Sequence, residues 1–466
     1  MINSNMGKNE HIGLVRQLGL FDSIMLIVGM VIGSGIFLTT GIIAQYIPSA
    51  GLILIVWLGG GLLALAGALT LAELGVSMPK AGGLYLYIRE AYGPLAGFLF
   101  GWVLFIAYQT AAIAALGVAF AEYFGHFFPS LSTKSMLFST SITVLNIDIP
   151  LFVSMGQLVG VILIISLSAV NYCGVVYGKL IQNIFTVIKI GALVSIIFFG
   201  LTIGNKISID FTLNPTGLGF GQLLTGIGLA LMAASWAYNG WNYFTFVAEE
   251  VKNPNRNIPR SLLYAIASII ILYLFANYIY LLALPIPEMS GVVAIAKVAT
   301  VSLFGATAAS LLSVAVIIST FGAMNGTILS GARVFFAMAK DKLFFKKAGE
   351  VHPRFLTPGF AIVIQGIWAC IYTLIGSFEQ LFTFAMFVTI IFWIVATASV
   401  FTLRKKFPEL PRPYKTWGYP VVPIVFILAS SGILLNTLFE KPVESLAGVG
   451  LTILGIPVYY FWKRKK

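Results

Sequence analysis

The chain carries the segment Val31-Ile32-Gly33-Ser34-Gly35-Ile36-Phe37, which interrupts an apolar run from about residue 21 to residue 46. A second apolar run, from about residue 221 to residue 248, is interrupted by Ser235-Trp236-Ala237-Tyr238-Asn239-Gly240-Trp241. Each run is long enough to cross a membrane as a helix. Hydrocarbon offers no water to a free N–H or C=O, so a break at that depth survives only where protein or a polar cavity satisfies the backbone. The two breaks predict a pair of interrupted membrane helices with a polar binding site between them.

The composition is that of a protein that crosses the membrane many times. Hydrophobic residues make up 59% of the 466 residues and charged residues 9%, whereas a soluble domain has roughly 25% charged residues. Twelve apolar runs are long enough to be membrane spans. They lie near residues 21–46, 51–77, 94–124, 151–170, 180–203, 221–248, 261–284, 302–338, 359–375, 380–402, 418–438 and 445–462.

The basic residues set the orientation in the membrane. If the amino terminus is inside, Lys189 lies within the membrane, four lysines face outward, and the rest of the 28 Lys and Arg residues are cytosolic. The outward-facing lysines are Lys134, Lys206, Lys297 and Lys441. We therefore predict a multi-pass protein of the cell membrane with both termini in the cytosol. This topology, together with contact between the basic residues and membrane lipid, explains the net charge of +12. We therefore expect no nucleic-acid partner.

The spacing of the breaks predicts an inverted repeat. The first span crosses outward and the sixth crosses inward, so two five-helix units that begin at the breaks have opposite orientations. The predicted segments are a cytosolic tail (1–20), a first repeat (21–204), an external loop (205–220), a second repeat (221–405), and helices eleven and twelve with a cytosolic tail (406–466). The expected fold class is an all-α membrane protein with twelve transmembrane helices, of which helices 1 and 6 are broken.

The chemistry of the breaks predicts a zwitterionic ligand. If the helix resumes after Gly33, the free N–H groups of Ser34 and Gly35 lie at a helix N-terminus, where they and the helix dipole favour a carboxylate. The carbonyls that end the preceding half-helices favour an ammonium group. They belong to Val31, Ile32, Trp236 and Ala237. The alternative is a Gly-Ser-Gly that only allows close helix packing, and the second break favours the binding site.

The sequence offers no set of catalytic or metal-binding side chains. Its two cysteines, Cys173 and Cys370, lie near a helix end and within the ninth span, and support neither a disulfide framework nor a metal site. The three histidines are scattered over predicted surface positions. They are His11, His126 and His352. We expect no enzymatic activity, no metal and no cofactor.

Six motifs occur in order along nearly the whole chain. They are GSGIF at residues 33–37, PKAGGLY at 79–85, WAYNGWN at 236–242, EEVKNP at 249–254 with IP at 258–259, GAMNG at 322–326 and RVFFAMA at 333–339. Together they resemble the L-amino-acid transporter (LAT) family of the amino acid-polyamine-organocation (APC) superfamily. The resemblance implies a LeuT-like fold with a 5+5 inverted repeat plus two C-terminal helices, and exchange of amino acids by alternating access in a prokaryotic member.

The resemblance also implies roles for single residues. The backbone of Gly33, Ser34 and Gly35 would hold the substrate carboxylate. The amine would be held by the carbonyls of Val31, Trp236, Ala237 and Asn239, and the Trp236 ring is placed to close over the ligand from outside. Other possible pocket residues are Tyr108, Gln109, Tyr238 and Asn325, of which Asn325 is equally well explained by packing.

Two positions favour a neutral amino acid as substrate. Asn239 stands where some resembling transporters of dibasic amino acids or cystine have an aspartate. Tyr108 and Gln109 stand roughly where a member with anionic substrates carries an arginine. Because neither charged partner is present, a neutral L-amino acid is expected, and its size stays open.

Lys189 is placed deep in the fifth span. It lies ten residues after Lys179, about 15 Å along a helix, which is half of a hydrocarbon core roughly 30 Å thick. A lysine at that depth needs a function or an internal partner. In resembling transporters without sodium coupling, a lysine on helix five occupies the place where relatives bind sodium. The resemblance implies this role for Lys189, with Gly33 as a neighbour, although a structural lysine bonded to helix-end carbonyls is the alternative.

Further alternatives concern coupling, partners and gating. A proton-coupled amino-acid symporter and a nontransporting sensor fit the same scaffold. Eukaryotic members that resemble this chain are joined to a heavy subunit through a cysteine in the loop after span three. That loop, residues 125–150, contains no cysteine here, so we expect no disulfide-linked heavy subunit. Four charged residues near predicted cytosolic helix ends could form an inner gate or be solvated helix caps, and the cap interpretation is favoured. They are Glu73, Glu249, Glu250 and Arg256.

Overall fold

The structure is a computed structural model that describes residues 14–144, 147–213, 217–292, 294–375 and 378–464. Most of the predicted N-terminal tail with His11, part of the predicted external loop (214–216) and the last two residues lie outside the described residues. The first half contains α1 Leu20–Val31, α2 Gly35–Tyr46, α3 Ala50–Ser77, α4 Leu84–Tyr92, α5 Pro94–Val103, a π-helical turn Leu104–Tyr108, α6 Gln109–Phe124, a 3₁₀ turn Pro129–Leu131, β1 Met136–Val144, β2 Ile147–Ser154, α7 Met155–Tyr172 and α8 Val175–Thr202.

The second half continues the helical order. It contains α9 Phe220–Ala237, a 3₁₀ helix Trp241–Glu250, α10 Pro254–Ala283, α11 Ile286–Met289, α12 Ile295–Phe304, α13 Ala306–Lys340, a 3₁₀ turn Lys346–Gly349, α14 Gly359–Ile375, α15 Phe378–Lys406, α16 Val421–Glu440 and α17 Pro442–Arg464.

The number and order of the spans match the predicted membrane fold. Over the described residues, ten helical segments are long and apolar enough to cross a membrane, and α1 with α2 forms one more span that bends by 41° at its break. The shorter α14, with 17 residues, falls at the predicted ninth span. The predicted fold class with a broken first helix is confirmed, and the division into segments at residues 204, 220 and 405 stays a prediction.

The sixth span is interrupted as well. The α-helix α9 ends at Ala237, residues 238–240 form a turn, and the chain continues as the 3₁₀ helix Trp241–Glu250. Gly240 has φ +122°, and a Cβ on it would lie 3.0 Å from the carbonyl carbon of Met30. Only glycine combines this backbone conformation with so close an approach to α1. The second half-helix is therefore tighter than the α-helix that the sequence suggests.

A β-hairpin replaces part of the loop after the third span and the first turn of the predicted fourth span. Strands β1 and β2 pair antiparallel, with Phe138 opposite Val153. The segment is rich in β-branched residues, which favour strands. Helix α7 therefore begins at Met155 and not near residue 151, and the Ser154 side chain caps it by accepting a hydrogen bond from the Gln157 N–H.

Helix α1 lies at the centre of the bundle. It packs against α8, α10 and α13, while α2 packs against α9. Helix α2 approaches the end of α9 closely at Gly35, where a Cβ would lie 2.5 Å from Cα of Ala237. The absence of a side chain at Gly35 thus lets the two breaks touch.

Ion pairs close the end of the bundle that is predicted to face the cytosol. Arg333 of α13 donates to both carboxylate oxygens of Glu250 at 2.7 and 3.2 Å, and both side chains are only 1% exposed. Glu73 is fully buried and accepts two hydrogen bonds from Arg404 at 2.7 and 2.8 Å. The interpretation of Glu73 and Glu250 as solvated caps is therefore wrong. Both are buried ionic links between spans.

The chain before α1 is fastened to the same region. The N–H groups of Gln17 and Leu18 both donate to the Glu250 carbonyl at 2.9 Å, and the Lys252 N–H donates to the Leu18 carbonyl at 2.8 Å.

A further hydrogen bond joins α4 to the end of α13, where Tyr85 donates to Asp341 at 2.7 Å. Burial, reinforced by the Asp341 carboxylate, raises the pKa of Tyr85 above its ordinary value, so its hydroxyl stays protonated and can donate.

The buried pair makes a prediction about stability. Arg333→Met leaves the Glu250 carboxylate buried without its cation, and we expect the free energy of unfolding to fall by about 3–5 kcal/mol. The double variant Arg333→Met with Glu250→Gln leaves no buried charge and should recover most of that loss. Thermal unfolding in detergent measures both, with Arg256→Met as a surface control. An equal loss in the single and the double variant would contradict the interpretation.

Candidate functional site

A small cavity lies between the two helix breaks. Its volume is about 30 Å³, which is room for about two water molecules. The lining residues come from α1, the first-span break, α2, α6, α9, the sixth-span break, the 3₁₀ helix after it and α13. They are Met30, Val31, Gly33, Ser34, Gly35, Ala112, Leu116, Trp236, Asn239, Tyr243 and Thr327. The cavity thus brings together the predicted site residues Val31, Gly33, Ser34, Gly35, Trp236 and Asn239.

The first break presents hydrogen-bond donors to this cavity. Helix α2 begins at Gly35, so the first N–H groups of α2 have no carbonyl within their own helix to bond. The Ser34 side chain is 1% exposed, and its hydroxyl has no hydrogen-bond partner among the described residues. A buried hydroxyl without a partner is costly. The arrangement fits an anionic group bound at the start of α2.

The ends of the half-helices present acceptors. The hydroxyl of Tyr273 on α10 lies 2.9 Å from the Val31 carbonyl and 3.1 Å from the Ala237 carbonyl. A tyrosine hydroxyl has one proton and can donate to only one of them at a time. Two carbonyls from different broken helices therefore converge on one donor, and each keeps a second lone pair for a further donor.

Lys189 lies beside the first break. Its ammonium donates to the carbonyls of Gly29 and Ile32 at 2.8 Å and of Ser319 at 2.9 Å, and the side chain is 1% exposed. The Ser319 hydroxyl donates to the Ile32 carbonyl at 2.9 Å and lies 3.3 Å from that of Gly33. The ammonium thus bonds the end of α1 to α13. Ile32 faces this contact and does not line the cavity.

The other predicted pocket residues separate into two groups. Tyr108 donates to Asn239 at 2.6 Å and so contacts the cavity wall. Tyr238 donates to the Trp57 carbonyl at 2.9 Å and packs away from the cavity. Gln109 and Asn325 also lie outside it: Gln109 donates to the Thr327 carbonyl at 2.6 Å, and Asn325 donates to the Gly178 carbonyl and to Gln182, both at 3.0 Å.

The electrostatic character of the site comes from the backbone. No charged side chain is among the described residues that line the cavity. Over the described residues, no group of three or more His, Cys, Asp or Glu side chains is placed to hold a metal ion. The site offers dipoles of both signs to a small ligand that carries both charges.

Comparison with known proteins now gives the family. A family model described as amino acid permease matches residues 18–460. The chain belongs to the amino acid permease family. The permease is 35% identical over 462 residues to the serine/threonine exchanger SteT of Bacillus subtilis, with 98% of this chain and 99% of the relative covered. It is 31% identical to the human large neutral amino acids transporter small subunit 2, with 97% and 82% covered.

A third relative extends the same picture. The permease is 30% identical to the human b(0,+)-type amino acid transporter 1, with 96% of this chain and 88% of the relative covered. The resemblance to the L-amino-acid transporter family is confirmed. The chain is a membrane transporter of amino acids and not an enzyme.

Sequence reasoning missed several residues in or next to the candidate site. The main ones are Met30, Ala112, Leu116, Tyr243, Tyr273, Ser319 and Thr327. Tyr243 directly follows a recognised motif and could have been included. No sequence signal separates Tyr273 from Tyr278 or Tyr280 on the same helix, because the face of α10 that meets the breaks is set by packing.

The contact between the breaks makes a prediction. A Cβ at Gly35 would lie 2.5 Å from Cα and 2.8 Å from Cβ of Ala237, so Gly35→Ala forces the two breaks apart at a cost of about 1–3 kcal/mol. We expect amino-acid transport to fall roughly tenfold or more. Gly59→Ala is the matched control, because its nearest neighbour, Cδ2 of Leu231, lies 3.8 Å away. Uptake into proteoliposomes measures both, and equal activity of the two variants would refute the close contact.

Proposed function

We propose that this permease is a sodium-independent exchanger of neutral L-amino acids that works by alternating access. The observation that carries the proposal is the cavity between the two breaks. Its donors and acceptors are main-chain groups, and none of its described lining side chains is charged. A carboxylate at the start of α2 and an ammonium near the Val31 carbonyl would both be compensated there.

The site residues are assigned accordingly. The N–H groups of Ser34 and Gly35 bind the carboxylate, with Gly33 giving access to the backbone. The carbonyls of Val31 and Ala237 bind the amine in exchange for the Tyr273 hydroxyl. Trp236 and Asn239 surround the side chain.

The absence of a fixed charge near the substrate side chain supports a neutral substrate. Asn239 is neutral and accepts its hydrogen bond from Tyr108. The relatives support the same class: the Bacillus protein is named as a serine/threonine exchanger and the human one as a large neutral amino acids transporter. The cavity of about 30 Å³ has room for about two water molecules, so its volume does not decide between small and large substrates.

Sodium independence rests on Lys189. Its ammonium is placed among three main-chain carbonyls at 2.8–2.9 Å, an oxygen cluster that would otherwise suit a hard cation. The lysine brings its own hydrogen-bond donors to this position, so a sodium ion is not required to hold α1 against α13.

The proposal includes orientation and assembly. Both termini lie in the cytosol of the cell that carries the protein in its plasma membrane, which follows from the distribution of lysine and arginine. The permease works without a disulfide-linked heavy subunit, since residues 125–150 contain no cysteine.

Exchange in proteoliposomes tests the function. We expect labelled neutral amino acids to enter vesicles only when unlabelled amino acid is inside, at the same rate in sodium and in choline buffer. Accumulation in vesicles without internal amino acid under an imposed pH gradient would instead establish a proton symporter. Binding without any flux would establish a sensor, and preferential uptake of lysine or glutamate would refute the neutral substrate class.

Lys189 provides the sharper test of the coupling site. Lys189→Ala removes the donor from three carbonyls, and hydrogen bonds to charged groups contribute about 1.5–3 kcal/mol each. We therefore expect exchange to fall at least tenfold, whereas the surface variant Lys206→Ala keeps full activity. The same assay is run in sodium and in choline buffer. Sodium-dependent uptake by the unaltered protein would contradict the assigned role.

A further inference from the structure

The third span contains an irregular turn next to the site. Between α5 and α6, residues Leu104–Tyr108 form a π-helical turn, in which the Gln109 N–H donates to the Leu104 carbonyl five residues earlier. Such turns are rare and occur mostly as single insertions in α-helices, frequently at functional sites. One inserted residue changes the helical phase by about 100°. The turn therefore decides which side chains of the third span face the cavity.

Because the turn is wider than an α-helical turn, some of its carbonyls lack the usual α-helical hydrogen bond. Side chains donate hydrogen bonds to these carbonyls instead. The Thr110 hydroxyl donates to the Phe105 carbonyl at 2.8 Å. The Ile106 carbonyl accepts hydrogen bonds from Trp368, at 3.3 Å from its Nε1, and from the Tyr372 hydroxyl. Trp368 and Tyr372 are one turn apart on α14. The turn is thus held partly by its own helix and partly by the ninth span.

Trp368 also contacts the turn through its ring. It stacks on Phe105, with ring centroids 6.1 Å apart and an angle of 18° between the planes. Trp368 and Tyr372 themselves meet edge to face at 6.1 Å. Stacking and hydrogen bonding together fix the side of the turn that faces away from the cavity.

The opposite side of the turn meets the site. Tyr108 is the last residue of the turn, and its hydroxyl donates to Asn239 at 2.6 Å. The next residue, Gln109, donates to the Thr327 carbonyl at 2.6 Å. Asn239 and Thr327 both line the cavity. A loss of the turn would rotate these two contacts away from their partners.

We propose that Trp368 and Tyr372 are positioning residues for substrate selectivity. Through the Ile106 carbonyl they hold the π-helical turn, and the turn holds Tyr108 on Asn239 in the cavity wall. Neither side chain lines the cavity, so they act on the substrate only through the third span. The inference rests on the proposed function for the class of substrate.

The test compares the selectivity of single variants. Tyr372→Phe removes one hydrogen-bond donor from the Ile106 carbonyl and keeps the aromatic ring. The net free energy of one hydrogen bond corresponds to a change of roughly two- to tenfold in an equilibrium constant. We expect the ratio of kcat/KM for serine and for leucine to change about three- to tenfold in proteoliposome exchange. Trp368→Phe should change the ratio in the same direction. If Tyr372→Phe does not reach the membrane, the ratio measured for Trp368→Phe tests the proposal.

Two controls separate positioning from a general structural effect. Tyr87→Phe removes a buried hydroxyl that has no hydrogen-bond partner among the described residues and should leave the ratio unchanged. If Tyr372 acts through Tyr108, the double variant Tyr108→Phe with Tyr372→Phe should shift the ratio no further than Tyr108→Phe alone. A defect confined to stability would lower the unfolding temperature and the rates for both substrates equally.

The outcomes distinguish this inference from the proposed function. An unaltered protein that exchanges no amino acid overturns the proposed function. An active unaltered protein with the same serine-to-leucine ratio in Tyr372→Phe and Trp368→Phe overturns only the positioning role. Independent, multiplying effects of the Tyr108 and Tyr372 substitutions overturn it as well.

Discussion

The structure depends on the requirement that no main-chain N–H or C=O be left without a partner inside hydrocarbon. Two spans depart from the regular helical pattern, at residues 32–34 and 238–240, and a side chain of α10 contacts both breaks. The Tyr273 hydroxyl lies between the end carbonyls of both half-helices. The remaining free groups face a common cavity. The Tyr273 hydroxyl reaches both breaks and Gly35 lets α2 approach Ala237, so the two breaks lie side by side, with α1 packed against α10 and α2 against α9.

Lys189 shows how main-chain carbonyls can offset the free-energy cost of burying a lysine ammonium. A lysine at the depth of the breaks loses its hydration, and three carbonyl dipoles replace it. The Gly29 and Ile32 carbonyls end α1, where the helix dipole is negative. The ammonium and the break therefore stabilise each other. The contact also joins α8 to α1 and α13, so any movement of α1 must either carry Lys189 along or break charged hydrogen bonds.

The breaks, the spans and the deep lysine could be predicted because each is a local departure from an apolar sequence. Gly33-Ser34-Gly35 and Lys189 are conspicuous wherever the helices pack. The hairpin at 136–154 was not predicted, because a strand pair in a loop has no counterpart in the hydropathy pattern. Tyr108 and Gln109 show that the sequence does not predict which way neighbouring side chains point. They are adjacent in sequence and both were candidates, yet only Tyr108 reaches a lining side chain, since the π-helical turn sets their directions and depends on Trp368 and Tyr372 from a distant segment.

The small cavity and the buried ion pairs bear on how transport can proceed. The cavity between the breaks has a volume of about 30 Å³, and the end of the bundle predicted to face the cytosol carries the buried ion pairs of Arg333 with Glu250 and of Glu73 with Arg404. Separating either pair would be unfavourable until water reaches the buried charges. In the proposed function, a bound zwitterion would offer its own charges to the break carbonyls and amides, in place of the Tyr273 hydroxyl. Displacing that hydroxyl would remove the link between Val31 at the end of α1 and Ala237 at the end of α9, which would give the proposed exchanger a reason to rearrange only when it is loaded.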